Sequence, residues 1–135
     1  MELKARVLIA GDAEGEALLL NHPISFWGGV DPKSGDIIDA RHPDRGVNIA
    51  GRILVLPGMI GSSSASAVML ELVHAKRAPA ALILPEPDAI LLLGLVVARE
   101  MDWPHPPAFA LHDEGRDALR GKTIRIDRDG KINVL

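Results

Sequence analysis

The stretch that decides the fold runs Ile53-Leu54-Val55-Leu56-Pro57-Gly58-Met59-Ile60-Gly61-Ser62-Ser63-Ser64-Ala65-Ser66. Ile53 to Leu56 is a wholly apolar run that closes a strand region opening at Ile49, and Pro57-Gly58 ends it. Behind the serines, Val68, Leu72 and Ala75 recur at i, i+4 and i+7, with Met69 and Val73 beside them. Glu71, His74, Lys76 and Arg77 fall mostly on the other side, so the spacing predicts an amphipathic helix. Lys76 and Arg77 suit the negative end of the helix dipole, and Pro79 stops the helix. Ala80 to Leu84 resumes as an apolar strand. Strand, glycine–serine loop, helix and strand in that order place the chain in the α/β class.

Downstream, Pro85-Glu86-Pro87-Asp88 is a turn whose Asp88 is placed to cap a second helix. That helix, Ala89 to Arg99, is apolar nearly all round, which predicts a core helix or an interface helix; its composition favours the core. Pro104-His105-Pro106-Pro107 is a rigid connector, Ala108 to Leu111 a strand, and Asp113 to Leu119 a short helix ended by Gly121. Thr123 to Ile126 and Ile132 to Leu135 form a hairpin across Asp129-Gly130. Upstream, Leu3 to Ala10 alternates as a strand, Gly11 to Gly15 reads as a turn, and Glu16 to Leu20 as a second strand antiparallel to the first. Ile24 to Trp27 is a short extended piece ended by Gly28-Gly29, and Gly28 to Gly46 is mostly loop, with a brief strand at Ile37-Ile38. A loop of this length in a compact chain points to function. Residues 1–135 read as one mixed α/β domain that begins and ends in strands and is expected to be complete.

Composition narrows the function classes. With two Trp, two Phe and no Tyr, the core must be aliphatic. A net charge of -3 supplies no field for nucleic acid or an anionic membrane. No cysteine is present, which excludes disulfides and any cysteine-held zinc or iron–sulfur cluster within this chain. The N-terminus mixes acid and base before a short apolar run and does not read as a signal peptide, while Ala89 to Ala98 is too short to span a bilayer. A cytoplasmic location is expected. No His/Asp/Glu spacing resembles a metal site.

Three constellations can carry chemistry. Gly61-Ser62-Ser63-Ser64-Ala65-Ser66 stands between a strand and a helix, where first-turn N–H groups lack intrahelical partners and favour anions. A serine there can act on a proton if its alkoxide is stabilised by the helix start and a cation; Arg41, Arg45 and Arg52 are near in sequence, and spacing selects none of them. The plainer reading, an N-cap, needs only one serine. Pro23-Ile24-Ser25-Phe26-Trp27-Gly28-Gly29-Val30-Asp31-Pro32 sets two aromatics beside paired glycines, which suggests a lid or docking surface, with one of the two rings plugging the core. His42 is an acid/base candidate, although a lone histidine in a loop reads more often as a surface or turn residue, and that reading is favoured.

These segments, together with Gly11-Asp12-Ala13-Glu14-Gly15-Glu16-Ala17, His42-Pro43 and Ala78-Pro79-Ala80-Ala81, resemble in order the small subunit of the aconitase X family. The Ser25-to-Pro32 run is the most specific, and the chain beyond Trp103 carries little of the likeness. The resemblance implies a single swivelling β/β/α domain like the mobile domain of aconitase. It also implies a large catalytic subunit as partner, which holds an iron–sulfur cluster while this chain binds no cofactor. The implied chemistry is removal of water from a small hydroxy acid.

In aconitase-like enzymes the base is a serine in a Gly-Ser-Ser-Arg motif. Ser62 matches its first serine, so the resemblance assigns Ser62 as base and Gly61, Ser63 and Ser64 as substrate-anion contacts. Ser25, Phe26, Trp27, Gly28, Gly29, Asp31 and His42 would line the site. Ser64 stands where that motif has arginine, which leaves the cation unassigned. The family dehydrates hydroxyprolines or phosphomevalonate. The serine run and Ser25-Phe26-Trp27 lean toward cis-3-hydroxy-L-proline, with phosphomevalonate and a non-catalytic binding module as the alternatives.

Overall fold

The computed structural model describes residues 2–135. Its strands are β1 (Glu2–Lys4), β2 (Arg6–Ile9), β3 (Ala13–Leu19), β4 (Ile53–Val55), β5 (Ala81–Leu84), β6 (Ala108–Ala110), β7 (Thr123–Ile126) and β8 (Lys131–Val134). The helices are α1 (Phe26–Gly29, a single distorted turn), α2 (Ala65–His74), α3 (Ala89–Glu100) and α4 (Asp113–Asp117). The sheet order is β1-β8-β7-β3-β4-β5-β6-β2. Because β1 and β2 are one extended segment broken only at Ala5, the two ends of this order meet and the sheet closes into a near-complete barrel. At the break, Ala5 N–H donates to the Gly130 carbonyl at 2.8 Å, and a side chain on Gly130 would run into the Ala5 carbonyl. Glycine is therefore required at that hairpin turn.

β3, β4, β5 and β6 are parallel to their neighbours in that order; the remaining pairings are antiparallel. Alternation then builds two cores. Ala17, Leu19, Ile53, Val55, Ala81, Ile83, Phe109, Ile124, Ile126 and Ile132 point into the barrel. Leu54, Leu56, Leu82, Leu84 and Ala108 point outward, under α2, α3 and the 24–49 loop. Buried on both faces, β4 and β5 carry continuous apolar runs, as central parallel strands must.

Several expectations change. The strand after the first turn begins at Ala13, not Glu16, and pairs with β7 and β4 rather than with the first strand. The Asp12 carboxylate accepts the Arg128 N–H at 2.8 Å, tying this end to the β7–β8 hairpin, a long-range pairing that local pattern does not encode. Ile49 to Arg52 is a turn, with Gly51 at φ +70, so β4 is shorter than the apolar run suggests. α3 is buried along Leu91, Gly94, Leu95 and Ala98, whereas Ile90 and Leu93 are exposed. Asp88 caps it, its carboxylate accepting the Leu91 N–H at 3.0 Å. Among the described residues no helix is long and apolar enough to cross a membrane.

Candidate functional site

The ladder between β3 and β4 continues past both strands. Leu20 N–H donates to the Val55 carbonyl; after a gap, Ile24 and Met59 bridge in parallel and Ile60 N–H donates to the Ile24 carbonyl, both bonds at 3.1 Å. Two loops thus leave the barrel side by side: residues 25–29 after Ile24, and residues 61–64 after Ile60.

In the second loop Ser62 is half-buried, and its Oγ accepts the Ser64 N–H at 3.2 Å in a tight local turn. The Ser62 carbonyl accepts the Ala65 N–H, also at 3.2 Å. Ser64 occupies the N-cap of α2, yet its hydroxyl makes no capping bond. Capping therefore does not account for three consecutive serines. An oxygen that accepts an N–H at the positive end of a ten-residue helix has its anionic form favoured. Ser63 and Gly61 are exposed, and nothing lies within 4 Å of where a Gly61 Cβ would stand.

In the first loop the aromatic pair divides. Phe26 is fully buried and Trp27 is exposed. Gly28 sits at φ +79, and a Cβ on Gly29 would stand 2.8 Å from the Ile24 side chain, so each glycine has its own reason. The Ser25 hydroxyl donates to the Trp27 carbonyl at 3.2 Å.

Two predicted residues do other work. The Asp31 carboxylate accepts the Lys33 N–H at 2.8 Å, and this bond foremost holds its pKa below the usual carboxylate value. Its turn ends at Gly35, where a Cβ would stand 3.1 Å from the Arg77 carbonyl. Arg77 lies past the far end of α2, about 15 Å of helix away from the serines, so Asp31 is not brought to them. His42 is buried rather than on the surface. Its Nε2 donates to the His22 carbonyl at 2.9 Å and its Nδ1 accepts the Asp44 N–H at 3.0 Å, which engages both nitrogens of the neutral ring.

Of the three arginines near in sequence, Arg52 precedes β4, at the end opposite the serines, and pairs with Glu16 at 3.0 Å. Arg41 and Arg45 are exposed on the His42 turn, at the serine end. Sequence reading overlooks Arg116. It is buried on α4 and donates to the Leu56 carbonyl at 2.8 Å, at the root of the serine loop. Burial pushes its pKa down, opposed by Asp117. Arg116 and Arg120 line a cleft of about 330 Å³ with Leu20, Asn21, Leu56 and Pro57. A larger cavity of about 600 Å³, lined by Val73, His74 and Trp103 among others, lies at the far ends of the helices, away from this chemistry. Among the described residues no group of three His, Asp or Glu is placed to hold a metal, and the chain has no cysteine, so its residues do not fit an iron–sulfur cluster.

Fold and loop together define a swivel-type α/β domain that presents a serine at a helix start. The family model for the aconitase X swivel domain matches residues 2–134. A cis-3-hydroxy-L-proline dehydratase of Pseudomonas aeruginosa is 52% identical over 96 residues, which are 71% of this chain but 17% of that protein. The phosphomevalonate dehydratase small subunit of Thermococcus kodakarensis is 37% identical over 139 residues, covering 100% of this chain and 97% of that one. A crystal structure of Thermococcus kodakaraensis aconitase X in its holo-form superposes with a TM-score of 0.87 at 35% identity, covering 100% of this chain and 98% of that chain. The chain belongs to the aconitase X family of dehydratases, as its swivel domain.

Proposed function

We propose that this chain is the small subunit of an aconitase-X-type dehydratase, with Ser62 as the base. One observation carries the assignment: the Ser62 Oγ already accepts the Ser64 N–H at the start of α2. In this reading the Ser62 oxygen takes the proton from the carbon next to the hydroxyl-bearing carbon. With Ser62 acting as its alkoxide and ending as the neutral hydroxyl, the electron pair left behind forms the double bond; the hydroxyl leaves as hydroxide and takes one proton from solvent, so that the net loss is one water. The exposed backbone at Gly61 and the Ser63 and Ser64 hydroxyls hold the substrate anion. Arg41 and Arg45, both exposed, are candidate cations in this chain for a charged substrate. An iron–sulfur cluster belongs, in this reading, to the large subunit.

Trp27, Ile38 and Ile60 are 62%, 47% and 53% exposed, which is unusual for large apolar residues grouped round one loop. All three hang on the same turn, since Ile60 N–H bonds Ile24 and Ile38 N–H bonds Gly29. This rim is the surface that the large subunit covers.

For the substrate, the likeness to small subunits over nearly their whole length favours phosphomevalonate. Cis-3-hydroxy-L-proline, the choice the loop residues suggest, is the second reading, supported by the 52% identity over 96 residues. The test is an assay of the complex with its large subunit on both compounds. Turnover of phosphomevalonate supports the first reading and turnover of hydroxyproline the second. Activity of the large subunit that does not need this chain would overturn both.

A further inference from the structure

Among the described residues, His42 and Arg116 are the buried polar or charged side chains. Each donates to a backbone carbonyl in the gap where the β3–β4 ladder lapses, His42 to His22 at 2.9 Å and Arg116 to Leu56 at 2.8 Å. The Leu56 carbonyl has a particular need. Leu56 N–H donates to the Ile83 carbonyl at 2.9 Å, so Leu56 stands opposite Leu84 in the parallel β4–β5 register. The next rung would be a bond from residue 85 to the Leu56 carbonyl. Residue 85 is proline and has no N–H. The guanidinium, arriving from 60 residues downstream, supplies the missing donor. Six residues beyond that carbonyl stands Ser62.

We propose that Arg116 is a positioning residue for the serine loop: it replaces the rung that Pro85 cannot make and so fixes where the chain turns from β4 toward Ser62. This rests on the reading of Ser62 as base. Burying a guanidinium on a short helix is costly where an apolar side chain would fill the same space. A donor at this carbonyl gives the position its use. A small displacement of a catalytic group is enough to matter, roughly 100-fold in rate for about 1 Å.

The test uses the complex with the large subunit and amide exchange of this chain. Arg116→Met should lower kcat roughly 10- to 100-fold with little change in KM. Exchange at residues 58–64 should quicken while that of β7 and β8 stays as in the wild type. Pro85→Ala, which returns an N–H to the rung, should restore loop protection and most of kcat in the Arg116→Met background. If Arg116→Met does not fold, Arg116→Lys carries the test: faster exchange confined to the loop supports the proposal, and loop and barrel moving together overturns it. Unchanged kcat and loop exchange in a folded Arg116→Met also overturns it. Should Ser62 itself be dispensable, Ser62→Ala would retain activity, a separate result from the exchange pattern.

Discussion

A Cβ placed on Gly94 would stand 2.8 Å from the carbonyl oxygen of Ser66 and 3.2 Å from the Met69 Cβ. α3 therefore lies against the backbone of the first turn of α2, the turn that follows the serines. Gly94→Ala gains about 1 kcal/mol of helix propensity. It also pushes a methyl into a backbone atom, and overpacking of this kind costs about 1–3 kcal/mol. A net loss of stability is expected in urea denaturation, together with a lower kcat because the helix start moves. A more stable, fully active variant would contradict it.

Lys76 should be replaceable with profit. It sits at φ 60 in the left-handed region, where its N–H donates to the Val73 carbonyl and the Arg77 N–H donates to the Leu72 carbonyl. That is a Schellman ending with lysine where glycine is usual. The side chain is exposed, so little packing is lost. Lys76→Gly is expected to stabilise the chain by about 0.5–1 kcal/mol, read as a raised urea midpoint with unchanged slope.

His42→Phe keeps the volume and removes both ring bonds. The His22 carbonyl and the Asp44 N–H lose their partners, at about 1–3 kcal/mol for each group left buried. The turn is also held by Asn21, whose backbone and side-chain amides both donate to the Asp44 carboxylate at 2.9 Å. The expected result is a folded but clearly less stable chain, measured by thermal melting.

Trp27→Ala should separate docking from folding. An exposed side chain contributes little to stability, within about 0.5 kcal/mol. A tryptophan at the centre of an interface is worth about 2 kcal/mol or more. Calorimetric titration with the large subunit should show a Kd raised at least roughly 10-fold, with the melting temperature unmoved. Equal affinity would remove Trp27 from the interface.

Much of this architecture is legible locally. α2 is set by its apolar spacing, although it ends at His74 in the left-handed turn at Lys76 and not at Pro79; α3 begins at the Asp88 cap, and Asp129-Gly130 turns the last hairpin. The barrel itself is not legible, because it closes through pairings such as Leu3 with Ile132 and Val7 with Phe109, more than a hundred residues apart. The serine loop stands out because three hydroxyls exceed what a cap requires. Asp31 looks like part of the site only because it is close in sequence to Trp27, whereas the loop carries it to the other end of α2. Arg116 escapes notice because a charged residue on a short helix reads as solvated; only the missing N–H of Pro85 hints that a distant donor is needed.

The most direct test is the rate of the reconstituted dehydratase with Ser62→Ala, set beside Ser63→Ala and Ser64→Ala. Loss of a proton-transferring base should cut kcat roughly 10²- to 10⁴-fold while leaving the chain folded and bound to its partner. The Ser63 and Ser64 variants should act mainly on KM. If Ser62→Ala turns over at the wild-type rate, the serine is not the base, and the chain serves the enzyme by binding alone.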